Sequence, residues 1–188
     1  MRKSLIAAVV AASLFTLAAC SNDDDPDTAA SHNEADVTFA QEMIPHHQQA
    51  IEMADLAESR AESQEVKDLA TDIEAAQGPE IETLTGWLES WGEDVPDEGM
   101  SGMDHGDMSS DDMGGMMTED EMADLESASG AEFDQMFLTM MIEHHEGAIE
   151  MAKTEHSEGE FREAVDMAKE IETTQAEEIQ TMQDLLKS

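Results

Sequence analysis

The chain has 188 residues, with 46 acidic against 8 basic side chains and a formal net charge of −38. Such a charge opposes every contact with a phosphate backbone and so excludes nucleic acid as a partner. The acidity itself reads as a solubility and salt-tolerance device, and the single cysteine excludes both an intrachain disulfide and a thiolate metal cluster.

In chain order, the first element is a short basic segment, Arg2-Lys3, followed by an uncharged apolar run from Leu5 to Ala19. The run is too short to span a bilayer as a helix and ends in small residues, so residues 1–19 read as a secretory signal that leaves the mature chain. Its end, Leu17-Ala18-Ala19-Cys20, resembles the lipobox of bacterial lipoproteins. That resemblance implies lipidation of Cys20 and anchoring at the outer face of the cytoplasmic membrane. In a two-membrane envelope the implied place is the periplasm or the outer membrane. Residues 20–30 are polar and acidic and read as a tether.

Beyond the tether the chain repeats itself without gaps. Met43-Ile44-Pro-His46-His47-Gln-Gln-Ala50-Ile51-Glu52-Met53-Ala54 aligns with Met141-Ile142-Glu-His144-His145-Glu-Gly-Ala148-Ile149-Glu150-Met151-Ala152. The register holds through Ile73-Glu74, Gln77 and Glu80-Ile81, matched by Ile171-Glu172, Gln175 and Glu178-Ile179. About 25 of roughly 58 aligned positions are identical, which makes the two halves copies of one unit. Ser31-x-x-Glu34, Ser59-x-x-Glu62, Ser129-x-x-Glu132 and Ser157-x-x-Glu160 read as capping boxes that start four helices, and Thr118-x-x-Glu121 starts a short fifth.

The apolar spacing is helical. Phe39, Met43, His46, Ala50, Met53 and Ala57 make one seam of the first helix, and Val37, Ala40, Ile44, His47, Ile51 and Ala54 the seam beside it. Gln41, Glu42, Gln48, Gln49 and Asp55 are then the polar face. Gly78-Pro79 is expected to interrupt and bend the second helix. The organisation that follows is a helical hairpin over residues 31–91, a mobile Met/Gly/Asp-rich linker over 92–117, a short helix over 118–128 and a second hairpin over 129–188. Neither hairpin can bury both faces alone, so the fold class is all-α, a four-helix bundle of two repeated hairpins with pseudo-two-fold symmetry.

Successive helical residues point about 100° apart, so His46 and His47 lie on adjacent seams of one broad face, with Met43 one turn before them. Met141, His144 and His145 repeat the arrangement, and Met53 and Met151 lie two turns further on. Imidazole and thioether together suit Cu(I), Ag(I) and, through imidazole, Cu(II). Four histidines entering one core in two pairs are hard to explain as packing, since each brings polar atoms that need partners. Gln77 and Gln175 are polar residues on apolar seams and are candidates to hold the ligands by hydrogen bonds. The remaining carboxylates read as solvated helix faces.

The linker carries a second set of soft donors: Met100, Met103, His105, Met108, Met113, Met116 and Met117. Methionines have no packing reason to recur in a Gly/Ser/Asp segment, and flexibly spaced thioethers can wrap a soft monovalent ion. The segment resembles the Met/His-rich stretches of extracytoplasmic copper and silver resistance proteins. A carboxylate-bridged di-iron site is disfavoured, because Met43, Ile44, Met141 and Ile142 stand where its Glu-x-x-His glutamates are required. There is also no phosphate-binding glycine loop and no His-Glu-x-x-His motif.

The doubled Met-x-x-His-His-x-x-Ala pattern, within Asp36–Ala54 and Phe133–Ala152, resembles the domain-of-unknown-function 305 family over about residues 31–187. The resemblance implies a ferritin-like bundle and kinship with CopM-like periplasmic copper-binding proteins tied to copper tolerance. It places the His-His pairs and nearby methionines at the metal. The expected function is non-enzymatic, without catalytic residues: binding, sequestration or delivery of copper or silver, with a copper-handling protein as recipient in the delivery case. Two other classes stay open, a ferritin-like redox enzyme and a structural or partner-binding helical module without metal.

Overall fold

The computed structural model describes residues 31–96 and 114–187. The signal, Cys20, the tether and the linker residues Met100, Met103, His105, Met108 and Met113 lie outside them. Six helices follow in order: α1 Glu34–Asp55, α2 Ala57–Arg60, α3 Gln64–Trp91, α4 Glu119–Ser127, α5 Ala131–Glu158 and α6 Arg162–Leu185. Four are long and make the bundle. No helix among the described residues is long and apolar enough to cross a membrane.

Most helix starts differ from the capping boxes read in the sequence: α1 and α3 take other local caps, and α5 and α6 take carboxylates from the opposite repeat. Asn33, two residues past Ser31, caps α1: its Oδ1 accepts from the N–H groups of Ala35 and Asp36 at 2.8 and 3.1 Å. Ser59 falls inside the separate turn α2, and Ser63 caps α3 by accepting from Val66 N at 3.2 Å. Helices α5 and α6 start at Gly130 and Phe161 with no cap from their own N-cap side chains. Asp36 of α1 accepts from the N–H groups of Glu160 and Phe161 at 3.2 and 2.9 Å, at the start of α6. At the equivalent place Asp134 of α5 accepts from Glu62 and Ser63, at 3.0 and 2.8 Å, at the start of α3. Each repeat thus caps the other, and only the Thr118–Glu121 box stands where the sequence put it.

Helix α3 runs unbroken through Gly78-Pro79, as α1 does through Pro45, against the expected interruption. Buried Ile73 and Leu84 hold α3 in the core on both sides of the proline, and that packing outweighs one missing backbone donor. The helix ends at Gly92, whose φ of 77° gives the left-handed turn that lets Gly92 and Glu93 bond back to Glu89 and Leu88.

Within each hairpin α1 packs on α3 and α5 on α6, and the two hairpins meet chiefly along α1 and α5. Asn33 Nδ2 donates to the Glu158 carbonyl and Gly130 N to the Arg60 carbonyl, each at 2.8 Å, so α1 and α5 run antiparallel. The result is the expected all-α, ferritin-like bundle of two hairpins. Its core falls into two apolar clusters. One gathers Ala50, Met53, Met141, Phe133 and Phe137, and the other Phe39, Met43, Ile44, Leu84, Leu88 and Ala148. Along α1 and α5 the histidines occupy the divide between them.

Candidate metal centre

His46, His47, His144 and His145 are all fully buried. His46 and His144 face each other across the α1–α5 seam, with ring centroids 3.7 Å apart and planes tilted by 38°. Flanking this pair, His47 Nε2 meets Glu80 Oε2 at 2.7 Å, and His145 Nε2 meets Glu178 Oε2 at 2.7 Å. No well-formed hydrogen bond reaches either ring nitrogen of His46 or His144, or Nδ1 of His47 and His145, and only the Gly114 and His46 backbones lie near the rings of His46 and His144. A neutral imidazole carries one donor and one acceptor, and each buried polar atom left unmatched costs about 1–3 kcal/mol. Packing alone gives no account of six such nitrogens at the centre of an apolar core.

The electrostatics keep the central pair uncharged. Burial, then the nearby His47 and His145, push His46 down to about 3, opposed only in part by the Gly114 carbonyl. Burial first, then His46, His145 and His47, hold His144 well below the ordinary histidine value. Neutral imidazoles with free lone pairs are the protonation state that binds metal.

Met43 and Met141 sit one turn before the histidines and are fully buried. Met53 joins the cluster of Met141, and half-buried Met151 packs against the cluster of Met43. Each outer methionine is therefore grouped with the inner methionine of the other repeat. Gln77 and Gln175 are buried with Oε1 unpartnered. The side chains that meet His47 and His145 are Glu80 and Glu178, glutamates that by sequence alone read as solvated helix-face carboxylates. Their signal was present in the repeat, where Glu80-Ile81 recurs as Glu178-Ile179.

The end of the linker is also not the free segment expected. Met117 is buried, and its N–H and carbonyl bond to Gln49 Oε1 and Nε2 at 2.7 and 2.8 Å. Gln49, read as a polar-face residue, is buried for that reason. Gly114 and Gly115 lie directly on Gly147 of α5, where a Cβ would collide with the Gly114 carbonyl. Gly115 has φ of 87°, and a Cβ there would also crowd the Glu143 carbonyl. Met117 thus belongs to the core, and Met116 is half-buried beside it.

Among the described residues no three His, Cys, Asp or Glu side chains close around one point at ligand spacing. A hard cation requiring six or more oxygens is not accommodated by this donor set. Imidazole nitrogens with buried thioethers suit a soft ion of low coordination number.

The sequence pattern of the domain of unknown function DUF305 matches residues 36–186. The chain belongs to the DUF305 family. A search of curated proteins returns no match. Among solved structures, a DUF305 protein from Streptomyces coelicolor, named as secreted, is 33% identical with a TM-score of 0.71, over 81% of this chain and 91% of that one. A DUF305 fragment from Deinococcus radiodurans is 29% identical with a TM-score of 0.71, over 82% and 96%. CopM in its Cu(II)-bound form is 33% identical with a TM-score of 0.67, over 81% and 95%. CopM is also known in Cu(I)-bound and silver-bound forms. This DUF305 chain therefore shares its fold with a protein that binds copper and silver.

Proposed function

We propose that this DUF305 protein binds copper, as Cu(I) or Cu(II), or silver, outside the cytoplasm, and sequesters the ion or hands it to a copper-handling partner. It does so as a binding protein and not as an enzyme. The observation that carries this reading is the set of four buried imidazoles whose Nδ1 atoms, and in the central pair Nε2 as well, meet no side-chain partner, repeated in both halves and flanked by buried methionines. His46, His47, His144, His145, Met43 and Met141 are the ligand candidates, with buried Met53 and half-buried Met151 two turns further along. Likeness to CopM supports the choice of metal. The signal segment and the Leu17–Cys20 motif support export and a lipid anchor at Cys20.

Competition of the protein with a chromophoric chelator for Cu(I) tests the reading. The wild type should hold Cu(I) against the chelator. Met43→Leu with Met141→Leu conserves core volume and should cost less than about 1.5 kcal/mol of stability each. The same pair should weaken Cu(I) binding by more than the roughly 10-fold that loss of an outer hydrogen-bond partner costs. A wild type that fails to compete contradicts the proposal.

A further inference from the structure

We infer that Glu80 and Glu178 are positioning residues that fix His47 and His145 in the Nε2–H tautomer and present each Nδ1 to the bundle core as the metal-facing atom. The inference rests on the metal-binding reading above and adds which atoms bind and what orients them.

The geometry carries it. The two imidazoles are fully buried, while the carboxylates that meet them are only partly covered, at 21% and 22% exposure. Each contact is 2.7 Å, to Nε2 on both sides. An ionised carboxylate only accepts hydrogen bonds, so the contact requires the proton on Nε2. A neutral ring has no second proton, and the lone pair is then on Nδ1. Both Nδ1 atoms are buried without a hydrogen-bond donor to occupy them. A doubly protonated ring would instead bury an N–H at Nδ1 with no acceptor, which is unfavourable.

This divides the four histidines into two kinds. His47 and His145 are held at one nitrogen and free at the other. His46 and His144 meet no carboxylate and no other side-chain hydrogen-bond partner; beside packing, only the nearby Gly114 and His46 backbones bear on their rings. The first pair is therefore preset for an incoming ion, and the second pair adjusts to complete its coordination. Helices α3 and α6 do more than cover the core: they supply the carboxylates that orient the ligands on α1 and α5. Each carboxylate also places a negative charge one ring away from the ion, which offsets part of the cost of bringing a cation into apolar surroundings.

Two measurements on the full-length protein test this. Long-range proton–nitrogen correlation NMR of the metal-free protein reads the tautomers of His47 and His145. The expected pattern is a proton on Nε2 and none on Nδ1, kept in Glu80→Gln with Glu178→Gln, whose amide oxygens still accept. It should be lost in Glu80→Leu with Glu178→Leu. Cu(I) competition on the same samples should show a loss of about 10–100-fold in the Leu pair and a smaller one in the Gln pair. A proton on Nδ1 in the wild type, as the other tautomer or as imidazolium, overturns the inference. So does a Leu pair that binds Cu(I) as tightly as the wild type. A wild type with the expected tautomers that binds no Cu(I) is a different result, and it overturns the proposed function itself.

Discussion

The two repeats present matching side chains to the seam between them. His46 and His144 pair across it, the His47–Glu80 contact recurs as His145–Glu178, and Gln77 recurs as Gln175. Asp36 and Asp134 cap helices of the opposite repeat in the same way. Away from the seam the repeats part company. Gln49 grips the backbone of Met117, but its counterpart Gly147 makes room for Gly114 and Gly115. Buried Glu155 in the second repeat has the small residue Ala57 as its counterpart in the first. The shared residues are those that build the imidazole cluster and join the hairpins. The differing ones are where a single segment of chain, or a single acid, leans on only one of them.

The reciprocal caps offer the largest effect with which to break this comparison. Asp36→Ala and Asp134→Ala each strand backbone N–H groups at the start of a helix, and each should destabilise the bundle by about 1–2 kcal/mol. Asp36 should be the costlier, because it is fully buried and also accepts from Asn33 N at 2.6 Å. Urea unfolding of the two variants measures this. If either changes stability by less than about 0.5 kcal/mol, that carboxylate is not what joins the hairpins.

Glu155 sharpens the other half of the comparison. Its ionised carboxylate would have no hydrogen-bond donor, whereas its protonated form can donate to Asp36. Burial first, then the Asp36 carboxylate, push Glu155 up to about 8. The folded protein therefore holds a proton there that the unfolded chain, with an ordinary glutamate near 4.5, releases. This contribution to stability is fully present below the unfolded value and is lost as pH rises through about 8. Glu155→Gln keeps a donor without the titration. Relative to this variant, wild-type stability should fall steadily between pH 4.5 and 8. Parallel pH profiles would show that Glu155 is ionised in the folded state. Ala57 brings no such group, so the equivalent place in the first repeat has no counterpart to this titration.

The bundle and the His-His pairs were legible in the sequence because both rest on short-range periodicity and on the repeat. Phe39, Met43, His46, Ala50 and Met53 fall on one seam by spacing alone, and all are buried. What the sequence does not display depends on contacts between residues far apart in the chain. Glu80 looks like any solvated helical glutamate until α3 packs on α1 and brings it to His47. Ser31, Ser129 and Ser157 lost their capping roles to Asn33, to Glu62 acting on Ala131, and to Asp36. Gln49 looked polar-facing because nothing local shows that Met117 will return to it.

The central claim is that the ion sits among imidazoles and thioethers of the bundle core. X-ray absorption at the copper edge of the Cu(I)-loaded, full-length protein tests it most directly. The account predicts a first shell containing both nitrogen and sulfur, with the outer-shell scattering of imidazole, and loss of sulfur in the Met43→Leu, Met141→Leu variant. A shell of sulfur alone that is unchanged in that variant would contradict it, and would move the copper from the histidine seam to methionines elsewhere in the chain.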